Sequence, residues 1–279
     1  MDFTELFKDS ICYSFSDFSK FIIIGAFLLI PTIIAIINQQ LHSGILTFLI
    51  GIIFVSIGYV VEGYGINVMK DTIEGSNVLP KVNWKKNTSN GIKLLGMELV
   101  YCIGIAIIFI ILLLISDNIE LLSSLLKFNI GKTAVPISIT ELISVNDPII
   151  NTVFNVLSSA SPSLFISLIF IMIISIIAMF FIIISTCRLA KTNSVIAALS
   201  WRGITADIKS IGIRKLIIWY ILLFIIATLL ALIGYGLLLL LNLIPIIGDI
   251  IVLITIDFVI IPFFILFTSR AMGLLYASA

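Results

Sequence analysis

The chain has 279 residues, of which 61% are hydrophobic and 11% charged, and its mean hydropathy is +1.27. A soluble domain carries about 25% charged residues, so a water-soluble globule is disfavoured. The formal net charge of +1 also disfavours nucleic acid or another polyelectrolyte as a partner.

The chain begins with an amphipathic segment. Its apolar residues recur at three- and four-residue spacing, with acidic residues between them: Phe3, Phe7, Ile11, Phe15 and Phe18. A similar pattern occurs within 193–211. Such stripes next to membrane spans are typical of helices that lie in the membrane interface. The N-terminal segment lacks the basic region and cleavage site of a secretory signal, so we expect it to be retained.

Several apolar runs are long enough to cross a bilayer, which takes roughly 20 residues. There are six of them: 20–38, 44–66, 92–115, 164–187, 214–241 and 244–268. Pro31 and Pro262 fall inside the first and last runs, where neighbouring helices can satisfy the carbonyls that proline frees. The longest connection, 117–163, is too short and too apolar for a catalytic domain. The sequence therefore predicts an all-α, polytopic transmembrane helical bundle that forms a single membrane domain over residues 1–279.

The basic residues indicate the orientation of this bundle. Fourteen of the sixteen lie at the termini or in alternate connections: Lys8, Lys20, Lys70, Lys81, Lys85, Lys86, Lys93, Arg188, Lys191, Arg202, Lys209, Arg214, Lys215 and Arg270. The exceptions, Lys127 and Lys132, share the connection 117–163. Lys and Arg are retained on the cytoplasmic side. We therefore expect a multi-pass protein of the cell (plasma) membrane with both termini in the cytoplasm.

Glycines recur every seven residues along the second span, at Gly44, Gly51, Gly58 and Gly65. Seven residues make nearly two helical turns, so these glycines form one stripe on the helix. Because glycine has no Cβ, the stripe predicts close approach of a second helix. That helix belongs either to the same bundle or to another copy of the chain.

Three carboxylates fall inside predicted spans and form a candidate intramembrane polar site. Glu62 is spaced onto the glycine stripe and is expected to point into the bundle, while Glu98 lies at a similar depth in the next span. Asp257 lies near the middle of the sixth span with no basic residue at its depth. A charge there costs about 2.5–3.5 kcal/mol. Two interpretations stay open, namely structural groups that are satisfied locally and a cation or proton site.

Enzyme signatures are absent from the sequence. His42 is its single histidine, and it contains no HExxH motif and no nucleotide-binding glycine loop. Cys12, Cys102 and Cys187 lack metal-ligand spacing, which favours free thiols. We therefore expect no catalytic residues, no metal site and no cofactor.

Three places carry a resemblance to a known family. They are Tyr13 to Phe18 before the first span, Leu79-Pro80 with Trp84 and Gly91-Ile92-Lys93 in the first basic connection, and Ile244 to Gly248 with Pro262-Phe263, Gly273 and Tyr276 at the end. In these residues the chain resembles the prokaryotic domain-of-unknown-function family 4013 of multi-span membrane proteins. The resemblance covers most of the chain except 117–163. It implies an archaeal or bacterial membrane protein and supplies no substrate.

The leading hypothesis is therefore a non-enzymatic integral membrane protein with a structural, assembly or partner-binding role. The alternative is a small-solute or ion/proton transporter that uses the intramembrane carboxylates. Transport requires these carboxylates to line one solvated path, whereas a structural role requires only that each be satisfied locally. The expected partners are the lipid bilayer and either a second copy of the chain or another membrane protein, with no nucleic acid.

Overall fold

The computed structural model describes residues 2–41, 44–115, 162–241 and 247–278. Within those ranges the chain is almost entirely helical and contains no strand. The helices in chain order are α1 Phe3–Ser14, α2 Phe18–Leu41, α3 Gly44–Ile73, α4 Trp84–Ile115, α5 Pro162–Thr192, α6 Val195–Ala198, α7 Trp201–Ile211, α8 Ile213–Leu241, α9 Ile247–Thr255, a π-helical segment Ile256–Ile260, and α10 Ile261–Ala277. His42, Lys127, Lys132 and most of the predicted connection 117–163 lie outside the described residues.

The long helices match the predicted membrane spans. Five stretches are long and apolar enough to cross a bilayer: Ile45–Ile73, Trp84–Ile115, Phe165–Thr192, Ile213–Leu241 and Ile256–Ala277. A sixth is counted if Phe3–Ser14 and Phe18–Ile34, which are bent by 75° relative to each other, form one span. These observations confirm the predicted all-α, polytopic helical bundle.

Helix α3 continues well past the predicted end of its span. α3 continues from residue 66 to Ile73, where Gly75 adopts a φ of 86°. The N–H of Ser76 donates to the Asp71 carbonyl at 2.8 Å and that of Gly75 to the Thr72 carbonyl at 3.0 Å. This Schellman motif satisfies the last carbonyls of the helix. Hydropathy marks where the apolar run stops, whereas this cap marks where the helix stops.

The chain divides into two compact units. The first comprises Met1–Ile34, Ile50–Met97 and Ile183–Ala279, and the second Ala35–Leu49 and Glu98–Ile182. The core of the first unit contains residues from α1, α2, α3, α10 and the connection before α4: Tyr13, Phe21, Ile24, Leu28, Val61, Tyr64, Val68, Leu79, Ile265 and Leu266. In the second unit most apolar side chains are exposed, for example Ile103 and Ile169.

Helix α1 packs against α10 through a face that the sequence pattern did not indicate. Its buried residues include Ser10 and Ser14, whose hydroxyls donate to the carbonyls of Leu6 and Ser10 at 2.8 and 2.9 Å. Because these hydroxyls are satisfied within α1, the small serines can lie buried against the neighbouring helix. Of the predicted apolar stripe, Phe7 is buried, while Ile11 and Phe15 remain exposed.

Candidate functional site

The structure gives the three predicted carboxylates three different environments. Asp257 is buried, with 8% of its surface exposed. Glu98 is half-buried and belongs to the second unit. The expectation that Glu62 points into the bundle is corrected, because its side chain is exposed. Glu62 does share a face with Gly58, as its spacing predicts.

The predicted glycine stripe makes close contact at one of its described positions. A Cβ added to Gly65 would lie 2.6 Å from the Ser269 hydroxyl, so α10 approaches α3 closely there. A Cβ added to Gly51 or Gly58 would meet no described atom within 4 Å. The surroundings of Gly44 lie outside the described residues. A second copy of the chain against the open part of the stripe stays a prediction.

The closest helix crossing occurs at a pair of glycines that the seven-residue repeat does not include. A Cβ at Gly63 of α3 would overlap the Asn87 carbonyl oxygen, and one at Gly91 of α4 would overlap the Tyr59 carbonyl oxygen. Each glycine therefore leaves room for the backbone of the other helix, as small residues do in membrane-helix interfaces. The signal in the sequence was the pair of glycines near the basic ends of consecutive spans.

Asp257 lies in the π-helical segment, where the Ile261 N–H donates to the Ile256 carbonyl five residues earlier. The following Pro262 explains this irregularity. Proline has no N–H to donate to the carbonyl four residues before it, which is that of Phe258, and its ring crowds that carbonyl. The helix widens by one residue per turn at this place, and π segments of this kind often occur at functional sites.

Two features of α2 complete the surroundings of Asp257. The Thr32 hydroxyl donates a short hydrogen bond to Asp257 Oδ2, and Thr32 is itself buried. A Cβ at Gly25 would lie 2.5 Å from the Phe258 carbonyl oxygen, so α2 also approaches the widened turn closely. In the described ranges, no basic side chain bonds to Asp257. The sequence marked Asp257 but not Thr32, because hydroxyl residues within apolar runs are common.

At the end of α10, Arg270 is 3% exposed and is surrounded by oxygen atoms. Its guanidinium donates to four groups: Asp9 Oδ2 at 2.8 Å, Thr72 Oγ1 at 3.3 Å, the Ser76 carbonyl at 2.7 Å and Asn77 Oδ1 at 2.7 Å. The same group stacks on the Tyr13 ring at 4.4 Å. Arg270 therefore joins α10 to α1, to α3 and to the connection that follows α3. The sequence assigned it only to the basic tail, because its partners are distant in the chain.

A second network holds the interfacial helix α7. Arg188 of α5 donates to Asp207 Oδ2 at 2.6 Å and, through Nε, to the Ala197 carbonyl at 3.2 Å. The Tyr276 hydroxyl donates to the same Asp207 oxygen at 2.7 Å. Gly203 leaves room for the Arg188 guanidinium, which a Cβ would overlap. We call the part of the first unit that contains the Arg270 and Arg188 networks the basic end.

Three buried asparagines connect α3 and α4 next to the glycine crossing. Asn67 Nδ2 donates to Asn87 Oδ1 at 2.8 Å and to the Gly63 carbonyl at 3.2 Å, and Asn90 Nδ2 donates to Asn67 Oδ1 at 3.0 Å. Asn87 Nδ2 is buried and has no acceptor among the described residues. The sequence pattern does not mark this amide cluster, because a buried amide is indistinguishable from an exposed one in a linear pattern.

The helix lengths and the exposed apolar faces define the chain as a multi-pass helical membrane protein. It belongs to the family described as a protein of unknown function (DUF4013), whose profile matches residues 45–241. This confirms the resemblance seen in the sequence. The matched range contains α3 to α8 and the amide cluster, whereas Arg270 and Asp257 lie beyond it. No curated protein and no solved structure matches the chain.

Proposed function

We propose that this integral membrane protein is not an enzyme and that its basic end is a fixed surface on which a partner protein binds. The observation that carries the proposal is the buried Arg270 with its four hydrogen-bond acceptors. The sequence contains no enzyme motif, which supports a non-enzymatic role. By the positive-inside rule, the basic end faces the cytoplasm and both termini lie there.

The fixed character of this surface follows from the cost of breaking its contacts. Arg270 is buried and donates four hydrogen bonds, and a hydrogen bond to a charged group contributes about 1.5–3 kcal/mol. The Arg270 and Arg188 networks together hold α1, α3, α7 and α10 in one arrangement. A transport cycle that moved these helices relative to one another would have to break such contacts. A surface held in this way is suited to binding.

The exposed side chains of α6 and α7 are the part of this surface best placed for a partner. Ile196 is 86% exposed and Trp201 66% exposed, while Ile204 and Ile211 of α7 are buried. An exposed aromatic residue and an exposed aliphatic one on these two consecutive helices provide the apolar contact area that interface centres use. The partner is another membrane protein or a second copy of the chain.

Site-specific photo-crosslinking in native membranes tests the proposal. A photoreactive amino acid at position 196 or 201 should give a discrete protein adduct, whose mass distinguishes a second copy from another protein. The matched control is position 224, since Phe224 is equally apolar and 73% exposed but lies within α8, away from the basic end. Adducts with lipid alone at positions 196 and 201 would contradict partner binding.

The orientation requires its own test. A cysteine at position 85 should react with an impermeant thiol reagent only after permeabilisation, and one at position 127 should react in intact cells. The three native cysteines are first replaced so that each signal has one source. Reaction of position 85 in intact cells would contradict a cytoplasmic basic end.

A transporter is the second candidate, and the Asp257–Thr32 pair at the π-helical segment favours it. A carboxyl and a hydroxyl beside an irregular helix turn resemble the discontinuous helices that hold ions in transporters. If this role is correct, Asp257→Asn should abolish proton or cation flux in proteoliposomes. Glu62→Gln should preserve that flux, because Glu62 is exposed. Equal flux through the wild-type protein and Asp257→Asn would exclude a transport role for Asp257.

A further inference from the structure

A cleft of about 350 Å³ lies in the first unit, between the start of α4, the last turns of α3 and the residues at the end of α5. Its lining combines four lysines with neutral polar residues and two apolar ones: Lys70, Lys85, Lys86, Lys93, Asn83, Ser89, Asn90, Asn193, Ile66 and Ala190. Among the described residues, no carboxylate lines it. The cleft therefore concentrates positive charge beside hydrogen-bond donors.

The charges of these lysines are only partly compensated. Lys70 lies 3.7 Å from Glu74, and Lys93 Nζ donates to the neutral Asn193 side chain at 2.7 Å. Lys85 and Lys86 are exposed and form no ion pair with any residue that the structure describes. The nearby Asp71 interacts electrostatically with Lys86 and Lys70 but lies outside the lining. A surplus of positive charge remains in the cleft.

The position of Lys85 and Lys86 in α4 adds a second argument. They occupy the first turn of the helix, which begins at Trp84. Cations at this end oppose the positive pole of the helix dipole, so they do not stabilise α4. An anion at the same place would interact favourably with both lysines and with the free N–H groups of the first turn. The Lys86 N–H already donates to Asn83 Oδ1 at 3.1 Å, so an anion would meet the other N–H groups of this turn.

The floor of the cleft is held in position before any ligand binds. Asn90 is 7% exposed, and its Nδ2 is held by Asn67. Close to Asn90, α3 and α4 are in close contact, because Gly63 and Gly91 each leave room for the backbone of the other helix. A ligand therefore does not have to order these groups, which lowers the cost of binding.

The neighbouring Trp84 places this cleft at the level of lipid headgroups. Its ring lies 4.4 Å from that of Phe27, and 41% of the residue is exposed. Indole rings beside membrane spans prefer the headgroup layer. Phosphate groups of lipids and of small solutes both have access to that layer.

We propose that this cleft binds a phosphate group, carried by an anionic lipid headgroup or by a soluble phosphate. Lysine ammonium groups form charge-assisted hydrogen bonds with phosphate oxygens. Asn90 and Ser89 add neutral polar groups to the same lining. The site is independent of the partner-binding surface at α6 and α7 and of Asp257, and it does not require either proposed function.

The test uses the full chain in a neutral detergent. Native mass spectrometry measures retention of phosphatidic acid against phosphatidylcholine, whose choline cation offsets its phosphate. A separate titration with inorganic phosphate follows tryptophan fluorescence. The test variant is K85Q/K86Q, and the matched control is K81Q/K209Q. The control removes the same charge from two exposed lysines outside the cleft. Unchanged thermal unfolding of both variants shows that they fold.

The wild-type protein and the control should bind a phosphate-bearing ligand, and K85Q/K86Q should bind it about 30-fold more weakly, because two lysines near an anionic surface are lost. Added salt should weaken binding further. Selective retention of phosphatidic acid identifies a headgroup site, and a saturable response to inorganic phosphate identifies a soluble ligand. The proposal is overturned if neither ligand is preferred, or if both double variants lose binding equally.

Discussion

Two stretches of the same helix, residues 50–58 and 59–73 of α3, differ in what covers them. In the first stretch most apolar side chains are exposed, Phe54 by 49% and Val55 by 54%. In the second nearly every residue from 61 to 69 is buried, with Glu62 as the exception. Both stretches belong to one apolar candidate membrane span, so hydropathy does not account for the difference in burial.

Small residues and polar contacts account for it. α4 crosses α3 at Gly63 and Gly91, and α10 approaches it at Gly65 and Gly273. Apolar burial alone does not bring helices together in a bilayer, because lipid chains are as apolar as leucine. Close backbone approach and hydrogen bonds between helices therefore decide which part of a span is covered. Gly51 and Gly58 lack such contacts with any other described helix.

The largest effect is expected from Arg270→Met, which removes the guanidinium that holds α10 and α1 beside the end of α3. The loss removes four hydrogen bonds from a charged donor, and because Asp9 and Asn77 are partly open to solvent it should cost about 3 kcal/mol. Thermal unfolding in detergent measures this cost, and hydrogen exchange should rise in α1 and in residues 74–83. Arg202→Met is the control, because Arg202 is exposed. Equal losses for the two variants would show that the network does not stabilise the buried stretch.

A smaller effect is expected from Gly63→Ala. The added methyl group would overlap the Asn87 carbonyl oxygen, and overpacking of this kind costs about 1–3 kcal/mol. Gly58→Ala adds the same methyl group to the open stretch of the same helix and should leave the free energy of unfolding nearly unchanged. If Gly58→Ala proved as destabilising as Gly63→Ala, that face would be covered by a second copy of the chain.

The smallest effect concerns Asp17 at the start of α2. Its hydrogen bonds from Lys20 hold the pKa of the Asp17 carboxyl below its usual value of 3.8. Lys20 in turn donates to the Leu79 carbonyl at 2.6 Å, which joins α2 to the connection after α3. A lowered pKa stabilises the fold above pH 3.8, and this contribution disappears as the pH falls through the folded-state value.

Comparison of the wild-type protein with Asp17→Asn checks this dependence. The small difference in melting temperature at about pH 6 should shrink as the pH falls through the folded-state pKa of Asp17, which lies below 3.8. Lys81→Gln serves as a control for a general effect of charge at this end of the bundle. A difference that persists at low pH would show that Asp17 acts through packing instead of through its charge.

Much of the fold could be predicted because the spans are long and apolar. Hydropathy located each long helix, and the amphipathic patterns located α1 and the region of α6 and α7. The same patterns failed at particular residues. Periodicity assigned Glu62 correctly to the face of Gly58, but it could not show that this face is open. It likewise identified Gly65 and missed Gly63, whose contact depends on the position of Gly91.

The candidate site was less predictable for a related reason. Asp257 was conspicuous because a carboxylate within a span is rare, yet its partner Thr32 lies on another helix. In the sequence the lysines of α3 and α4 indicate only the orientation, and their convergence on one cleft with Asn193 depends on how α5 ends. Pairings of this kind join residues that are far apart in sequence, so no local pattern records them.

The sequence by itself determined the class of protein, the helical spans, the family and the sorting of the basic residues, because each of these depends on local composition and spacing. Only the tertiary structure decided which helix faces are covered, that Arg270 is buried with four hydrogen-bond acceptors, and that four lysines share one cleft. These depend on how backbones approach each other in space, and that approach is set by glycines and polar side chains from separate helices acting together.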